Sequence, residues 1–271
     1  FAEKEAHRMG YGLVVGNTEG DAEREQKFID DLLSRNVDAI IFSRVSDASR
    51  LPVKARERKL PIVVIDRGVE DEKVPSIELD NVEAGRSVAN LFFRGGHTNV
   101  AMVTGPRNVR LARERSAGFT DAIEAVGLRL PETHCHEGAF EFEDGVRAAD
   151  RFLALEPRPT AIWAQCDLSA AGLIHRFYEL GIKVPEDISV VGMDNVPLAK
   201  MVYPPLTTVE QPFEEFCTRA FHIIHRQLED PTYHPSSNPV RIRPSIVLRE
   251  SYRNLDEELG SRAAGARVSK A

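Results

Sequence analysis

Cysteine and positive charge are both in short supply in this 271-residue chain, and each shortage removes a class of answer. The three cysteines, Cys135, Cys166 and Cys217, stand far apart without a CxxC pair, which excludes a disulfide scaffold or zinc ribbon and points to reduced thiols in a reducing compartment. Acidic residues outnumber basic ones 42 to 35, for a net charge of −7, so this chain would repel a phosphate backbone and is not itself a DNA reader. No apolar run approaches the roughly 20 residues of a membrane span. The opening FAEKEAHRMG has neither the basic start nor the apolar core of a signal peptide, and a cytoplasmic location is expected. Also missing are GxGxxG opening a helix, GxxxxGK followed by Ser or Thr, GxSxG and HExxH, so an enzyme reading has no nucleophile, base or metal to stand on. No cofactor is called for.

What is present is a steady alternation of strand-like and helix-like stretches. LVVGN (13–17), AIIFS (39–43), PIVVID (61–66), SIEL (76–79), VAMVTG (100–105), AIWAQ (161–165) and ISVVG (188–192) read as strands, with a further one near 133–137. Between them lie helical patterns from Asp21, over 47–58, from about Asp80 to Arg94, through Phe119, Ala122, Ile123 and Val126, near 142–154, and from Asp167 to Leu180. Such alternation predicts an α/β fold of doubly wound parallel sheets, and one sheet would need too many strands. The reading is therefore two lobes joined by crossing segments near 76–81, 205–212 and 232–240. The first comprises 1–79 plus 212–234 and the second 80–211 plus 235–253, leaving 254–271 as a mobile tail.

VPEDISVVGMDN (184–195) followed by YPPLTTVEQP (203–212) is the most specific stretch. An apolar β-branched strand, a glycine that lets the backbone turn, and Asp194 delivered at the carboxyl edge place an acceptor where open α/β sheets bind ligands. These two segments resemble the signature of the lactose-repressor (LacI) family of bacterial transcription regulators, whose core is similar to periplasmic sugar-binding proteins; the resemblance covers nearly all of residues 1–253. It implies a periplasmic-binding-protein-like type I core. It also implies a helix-turn-helix headpiece, a hinge helix and a first strand that this sequence lacks, so the chain is expected to be an N-terminally truncated fragment of a longer protein.

The resemblance also marks ligand-binding residues. Asp194 is expected to accept from neighbouring hydroxyls. Arg115, three residues before Gly118-Phe119, is expected to fork onto ligand oxygens, and Phe140 to stack against the ligand. Cys166 stands where the family usually has Asn, pointing to a less hydroxylated ligand or a smaller polar network, while Asp167 reads as the N-cap of the next helix. Ser43 and Asp66 are the first lobe's candidates at strand ends, Asp66 having a structural ion pair or turn with Arg67 as its alternative role. Gln211 at the lobe boundary has two readings, ligand contact or hinge support.

Two constellations are set aside. His134 and His136 share a strand face with Cys135 pointing away, and His222 and His225 sit one helical turn apart without a third ligand, so no metal site is expected. The reading is then an effector-binding and dimerisation core of a LacI-type regulator. A sugar or nucleoside-like molecule closes the cleft between lobes and alters operator DNA binding through a headpiece not in this chain. A homodimer is expected, with no membrane partner; a solute-binding receptor of a sugar transporter is the alternative.

Overall fold

The computed structural model describes residues 1–18, 21–43, 59–66 and 74–256. The helix expected at 47–58 and the tail beyond residue 256 lie outside the described residues. The chain divides into two compact units, Phe1–Asp80 with Pro212–Ile242, and Asn81–Gln211 with Arg243–Ala271.

Among the described residues of the first unit, four parallel strands form a sheet in the order β1 (Ile40–Phe42), β2 (Ile62–Ile65), β3 (Ser76–Leu79) and β9 (Val240–Ile242). Helix α1 (Ala2–Arg8) precedes α2 (Ala22–Ser34), which begins where the Asp21 carboxylate accepts the backbone N–H groups of Glu23 and Arg24 at 2.8 and 3.1 Å. Helix α2 then packs Ile29 and Leu33 onto Ile40, Phe42, Ile62 and Val64. Helix α8 (Phe213–Glu229) lies against β2 and β3 and buries Phe216, Ala220, Phe221 and Ile224, an i, i+4, i+5, i+8 stripe.

Two expectations need correction in this unit. LVVGN forms no strand: Leu13, Val14 and Val15 are exposed, and hollows of about 180 and 280 Å³ separate this segment from β1. Apolar β-branched residues favour a strand only if a neighbouring strand takes up their backbone groups, and none of the described residues does so here. Residues 240–242, expected in the second lobe, form β9, which pairs with β3, Val240 opposite Ile77 and Ile242 opposite Leu79. A three-residue strand carries too little pattern to say which sheet it joins.

The second unit holds a six-stranded sheet, ordered β10 (Ser245–Val247), β8 (Thr207–Glu210), β7 (Ser189–Asp194), β6 (Ala161–Ala164), β4 (Val100–Thr104) and β5 (Cys135–Glu137). All neighbours are parallel except β10, which runs antiparallel to β8. Helices α3 (Asn81–Arg94), α4 (Arg110–Ala125), α5 (Phe142–Leu153), α6 (Asp167–Glu179) and α7 (Leu198–Met201) connect them. The doubly wound α/β class expected from the alternation therefore holds. Along β6, Ile162 and Ala164 join a core with Phe152, Leu173 and Phe177, while Trp163 points to the opposite face and meets Phe119 at 5.3 Å between ring centroids.

Glycines set the spacing of the helix pairs. Gly118 of α4 lies against the backbone of Val82 in α3, and Gly172 of α6 against that of Phe142 in α5, so a Cβ at either position would strike main chain that cannot swing aside. Gly118→Ala is therefore expected to cost about 1–3 kcal/mol through overpacking. At roughly 2–4 °C per kcal/mol for a chain of this size, thermal unfolding reads it as a lowered midpoint. An unchanged midpoint would mean that α3 and α4 can separate freely.

At the amino edge of this sheet, buried His97 faces the Thr160 hydroxyl at 2.9 Å and the Arg253 carbonyl at 3.0 Å. Burial lowers its pKa. Leu255 donates its N–H to Gly95 at 2.9 Å, so the tail expected from 254 begins with residues that are held in place.

Candidate functional site

Chain order leaves β4 for β5 on one side and then returns to β6 on the other, so the topological switch lies beside β4. Open α/β sheets bind ligands at the carboxyl ends of the strands flanking such a switch. Here the carboxyl ends of β4 and β6 deliver Thr104-Gly105 and Gln165, Cys166 and Asp167, and farther along the same edge β7 and β8 deliver Asp194 and Gln211.

Asp194 closes β7 with φ 118°, a backbone conformation that L residues rarely adopt. Its carboxylate is half-buried and accepts from Gln211 Nε2 at 2.8 Å, while its carbonyl accepts the Gln211 N–H at 3.2 Å. Asn195, with φ 57°, donates to Glu210 Oε1 at 2.9 Å and accepts from Arg249 Nη2 at 2.5 Å. The turn after β7 is thus pinned from β8 and from the segment after β10.

Phe140 also has positive φ, 67°, and its ring lies directly over Gly105, filling the space a Cβ there would need. The loop that carries it is fixed by Asp144, whose carboxylate accepts the N–H groups of Ala139 and Glu141 at 2.6 and 2.9 Å. A half-buried ring on a rigid loop offers an apolar face at the strand ends.

Arg115 is 2% exposed. From α4 its Nε donates to Asn81 Oδ1 and its Nη1 to the Gln165 carbonyl, both at 2.9 Å, so the guanidinium ties α4 to the start of α3 and the end of β6. Gln165, which no sequence argument singled out, is 1% exposed; its Oε1 accepts the Gly105 N–H at 3.2 Å and its Nε2 donates to Ser116 Oγ at 2.9 Å. The available signal was an amide directly ending the apolar run AIWA.

Cys166, not Asp167, caps α6. Its backbone is extended and its Sγ accepts the Ser169 N–H at 3.3 Å, while its thiol donates toward the Phe140 carbonyl at 3.4 Å. Burial pushes this thiol's pKa up, away from thiolate chemistry. Asp167 instead turns into the sheet, fully buried, and accepts from Thr208 Oγ1 at 2.6 Å and the Val196 N–H at 2.9 Å. Burial raises its pKa to about 7, the neighbouring Asp194 charge adds to the rise, and the Thr208 and Val196 hydrogen bonds oppose it.

Ser43 follows β1, exposed, and Asp66 follows β2 with φ 67°, half-buried; both belong to the first unit. The carboxyl edge of the second unit thus gathers Asp194, Gln211, Cys166, Phe140 and Arg115. What it offers a ligand is a carboxylate acceptor, an amide and an aromatic face. Among the described residues no group of three or more His, Cys, Asp or Glu is placed to hold a metal ion, and no helix is long and apolar enough to cross a membrane.

Comparison with known proteins bears on the fold and the family. The family described as periplasmic binding protein-like domain matches residues 89–252. The HTH-type transcriptional repressor PurR of Photobacterium profundum is 33% identical over 256 residues, 94% of this chain and 76% of that protein. PurR of Vibrio campbellii is 34% identical over 256 residues with the same two coverages, 94% and 76%. Among solved structures, the complex of the transcriptional regulator CelR with cellobiose superposes with TM-score 0.82 at 26% identity, over 93% of this chain and 76% of that one. A putative transcriptional regulator LacI from Bacillus cereus subsp. cytotoxis superposes with TM-score 0.80 at 25% identity, over 93% and 89%. These relatives are transcription regulators, which favours that reading over a transporter's solute receptor.

Proposed function

Because this chain belongs to the LacI-type family of transcription repressors with a periplasmic-binding-protein-like effector core, we propose that the carboxyl edge of its second unit binds a small polar effector, a sugar or nucleoside-like molecule. The carrying observation is Asp194, a half-buried carboxylate held at an unusual backbone angle at the end of β7, with the Phe140 ring over Gly105 at the end of β4, two strands along the same sheet edge. Asp194 accepts ligand hydroxyls, Gln211 orients it, and Phe140 supports the ligand's apolar face. Arg115 and Cys166 shape the wall through their own hydrogen bonds. CelR, one of the structural neighbours, was solved with cellobiose, which supports a saccharide as the first class to try.

An effector that binds one arrangement of the protein about 1–3 kcal/mol better than another shifts the population between them, and that suffices to change operator affinity. Operator DNA is read by a helix-turn-helix of the kind named in the PurR relatives.

The test is a thermal-shift panel of cellobiose, pentoses, hexoses, nucleosides and nucleobases. Near a hundredfold excess over the dissociation constant, a true effector stabilises by about 2.7 kcal/mol. Asp194→Ala is expected to remove that shift while the protein stays folded; a retained shift removes the assignment.

Such readers engage two half-sites, so a homodimer is part of this reading. Helices α6 and α7 pack against each other, and Tyr178 on α6, Met201 at the end of α7 and Tyr203 just after it are 82%, 77% and 85% exposed. Large exposed apolar side chains of this kind suit a protein interface. Sedimentation of Tyr203→Glu is expected to show monomer where the wild type shows dimer; an unchanged dimer moves the interface elsewhere.

A further inference from the structure

The second unit contains a hollow of about 600 Å³ that shares no lining residue with the carboxyl edge. One wall is a stripe of α3, Ser87, Asn90, Leu91 and Arg94, at the i, i+3, i+4, i+7 spacing of a single helix face. Facing it, Ile246 and Leu248 stand two residues apart, as side chains on one face of an extended segment do, with Arg249 next in the chain.

The chemistry of this lining is one-sided. None of its ten residues is acidic, in a chain whose net charge is −7. Two guanidinium groups, Arg94 and Arg249, are joined by the amides of Asn90 and Asn254 and the Ser87 hydroxyl, all able to donate. The Tyr252 hydroxyl is already committed to the Leu91 carbonyl at 2.9 Å. Leu248 is 61% exposed, so an apolar shelf lies beside the donors. Forked guanidinium donors next to an apolar shelf match an oxyanion carrying a short carbon body.

We propose that this hollow is a second ligand site, taking a small organic anion, a carboxylate or phosphate monoester, between Arg94 and Arg249 with its carbon body on Leu248 and Ile246. Arg249 gives the site a reach beyond itself. Its guanidinium also donates to the Leu206 carbonyl at 2.6 Å and to Asn195 Oδ1 at 2.5 Å, and Asn195 adjoins Asp194. An anion that draws Arg249 toward the hollow loosens the turn that presents Asp194, so the two ligands alter each other's affinity by the same factor. That coupling rests on the effector reading above; binding of the anion does not.

Isothermal titration in phosphate-free buffer, with benzoate and glycerol 3-phosphate as anionic probes and glycerol as neutral control, tests the proposal. Saturable binding of at least one anion and none of glycerol is expected. Arg94→Glu and Leu248→Glu, both at exposed positions, are each expected to keep the thermal midpoint and weaken binding about tenfold or more. Asp194→Ala should leave anion binding in place, which separates failure of this site from failure of the effector site. Absence of saturable binding by both anions, or binding that survives both glutamate substitutions, overturns the proposal. So does binding lost in Asp194→Ala but kept in Arg94→Glu, which places the anion at the carboxyl edge.

Discussion

Asp167→Asn is expected to flatten a pH dependence of stability that the wild-type protein shows between about pH 4 and pH 7. In the unfolded chain the carboxyl ionises near its ordinary 3.8, whereas in the folded protein burial holds the proton on until about 7. Between those values the folded state binds the extra proton, so raising the pH erodes wild-type stability. The contribution is whole below about pH 4 and lost once pH passes about 7, a swing of roughly 4 kcal/mol at a fully buried position. Asparagine can still accept the Val196 N–H and can donate to the Thr208 hydroxyl, so the turn after β7 keeps its anchors. Denaturant unfolding of both proteins at pH 5 and pH 8 measures the effect. The expected pattern is a wild type that loses ground to the variant as pH rises. Parallel behaviour would mean that Asp167 is ionised throughout and that its hydrogen bonds outweigh its burial.

Arg115→Met is expected to destabilise the second unit by about 2–5 kcal/mol. Methionine keeps much of the side-chain length, but the Asn81 amide oxygen and the Gln165 carbonyl each lose their donor in a place water does not reach. Each buried acceptor left unsatisfied costs about 1–3 kcal/mol. At roughly 2–4 °C per kcal/mol, the melting midpoint falls by about 10 °C. Arg115→Lys restores one charge-assisted bond but not the fork, and should fall between the two. A midpoint equal to wild type would mean that the guanidinium is not needed where α3, α4 and β6 converge. Loss of ligand response in an Arg115 variant therefore reports on the scaffold, and the binding assignment is better tested at Asp194.

Much of the fold could be read from the sequence because its signals are local. ISVVGMD announces a buried strand ending in a carboxylate, and the helices through Phe119 and from Asp167 announce themselves by periodic apolar positions. What could not be read depends on partners distant in the chain. Asp is the stronger capping residue by itself, so the sequence points to Asp167 as the N-cap of α6. Thr208 and Val196, 41 and 29 residues further on, draw its carboxylate away and leave the cap to Cys166. Gln165 passed unnoticed for the same reason, since its partners Gly105 and Ser116 come from β4 and α4. LVVGN has every local mark of a strand and forms none, because strand formation is decided by the neighbour and not by propensity. The family resemblance pointed to Phe140, but its ring over Gly105 is a contact between residues 35 apart that only the folded chain reveals.

The central claim is that the carboxyl edge of the second unit holds the effector. The most direct measurement is a crystal structure of the protein with the panel compound that raises its melting midpoint most. The account predicts ligand density within hydrogen-bonding distance of the Asp194 carboxylate and against the Phe140 ring. Density elsewhere, with the Asp194 carboxylate still engaged by Gln211 and the Phe140 face bare, would contradict it.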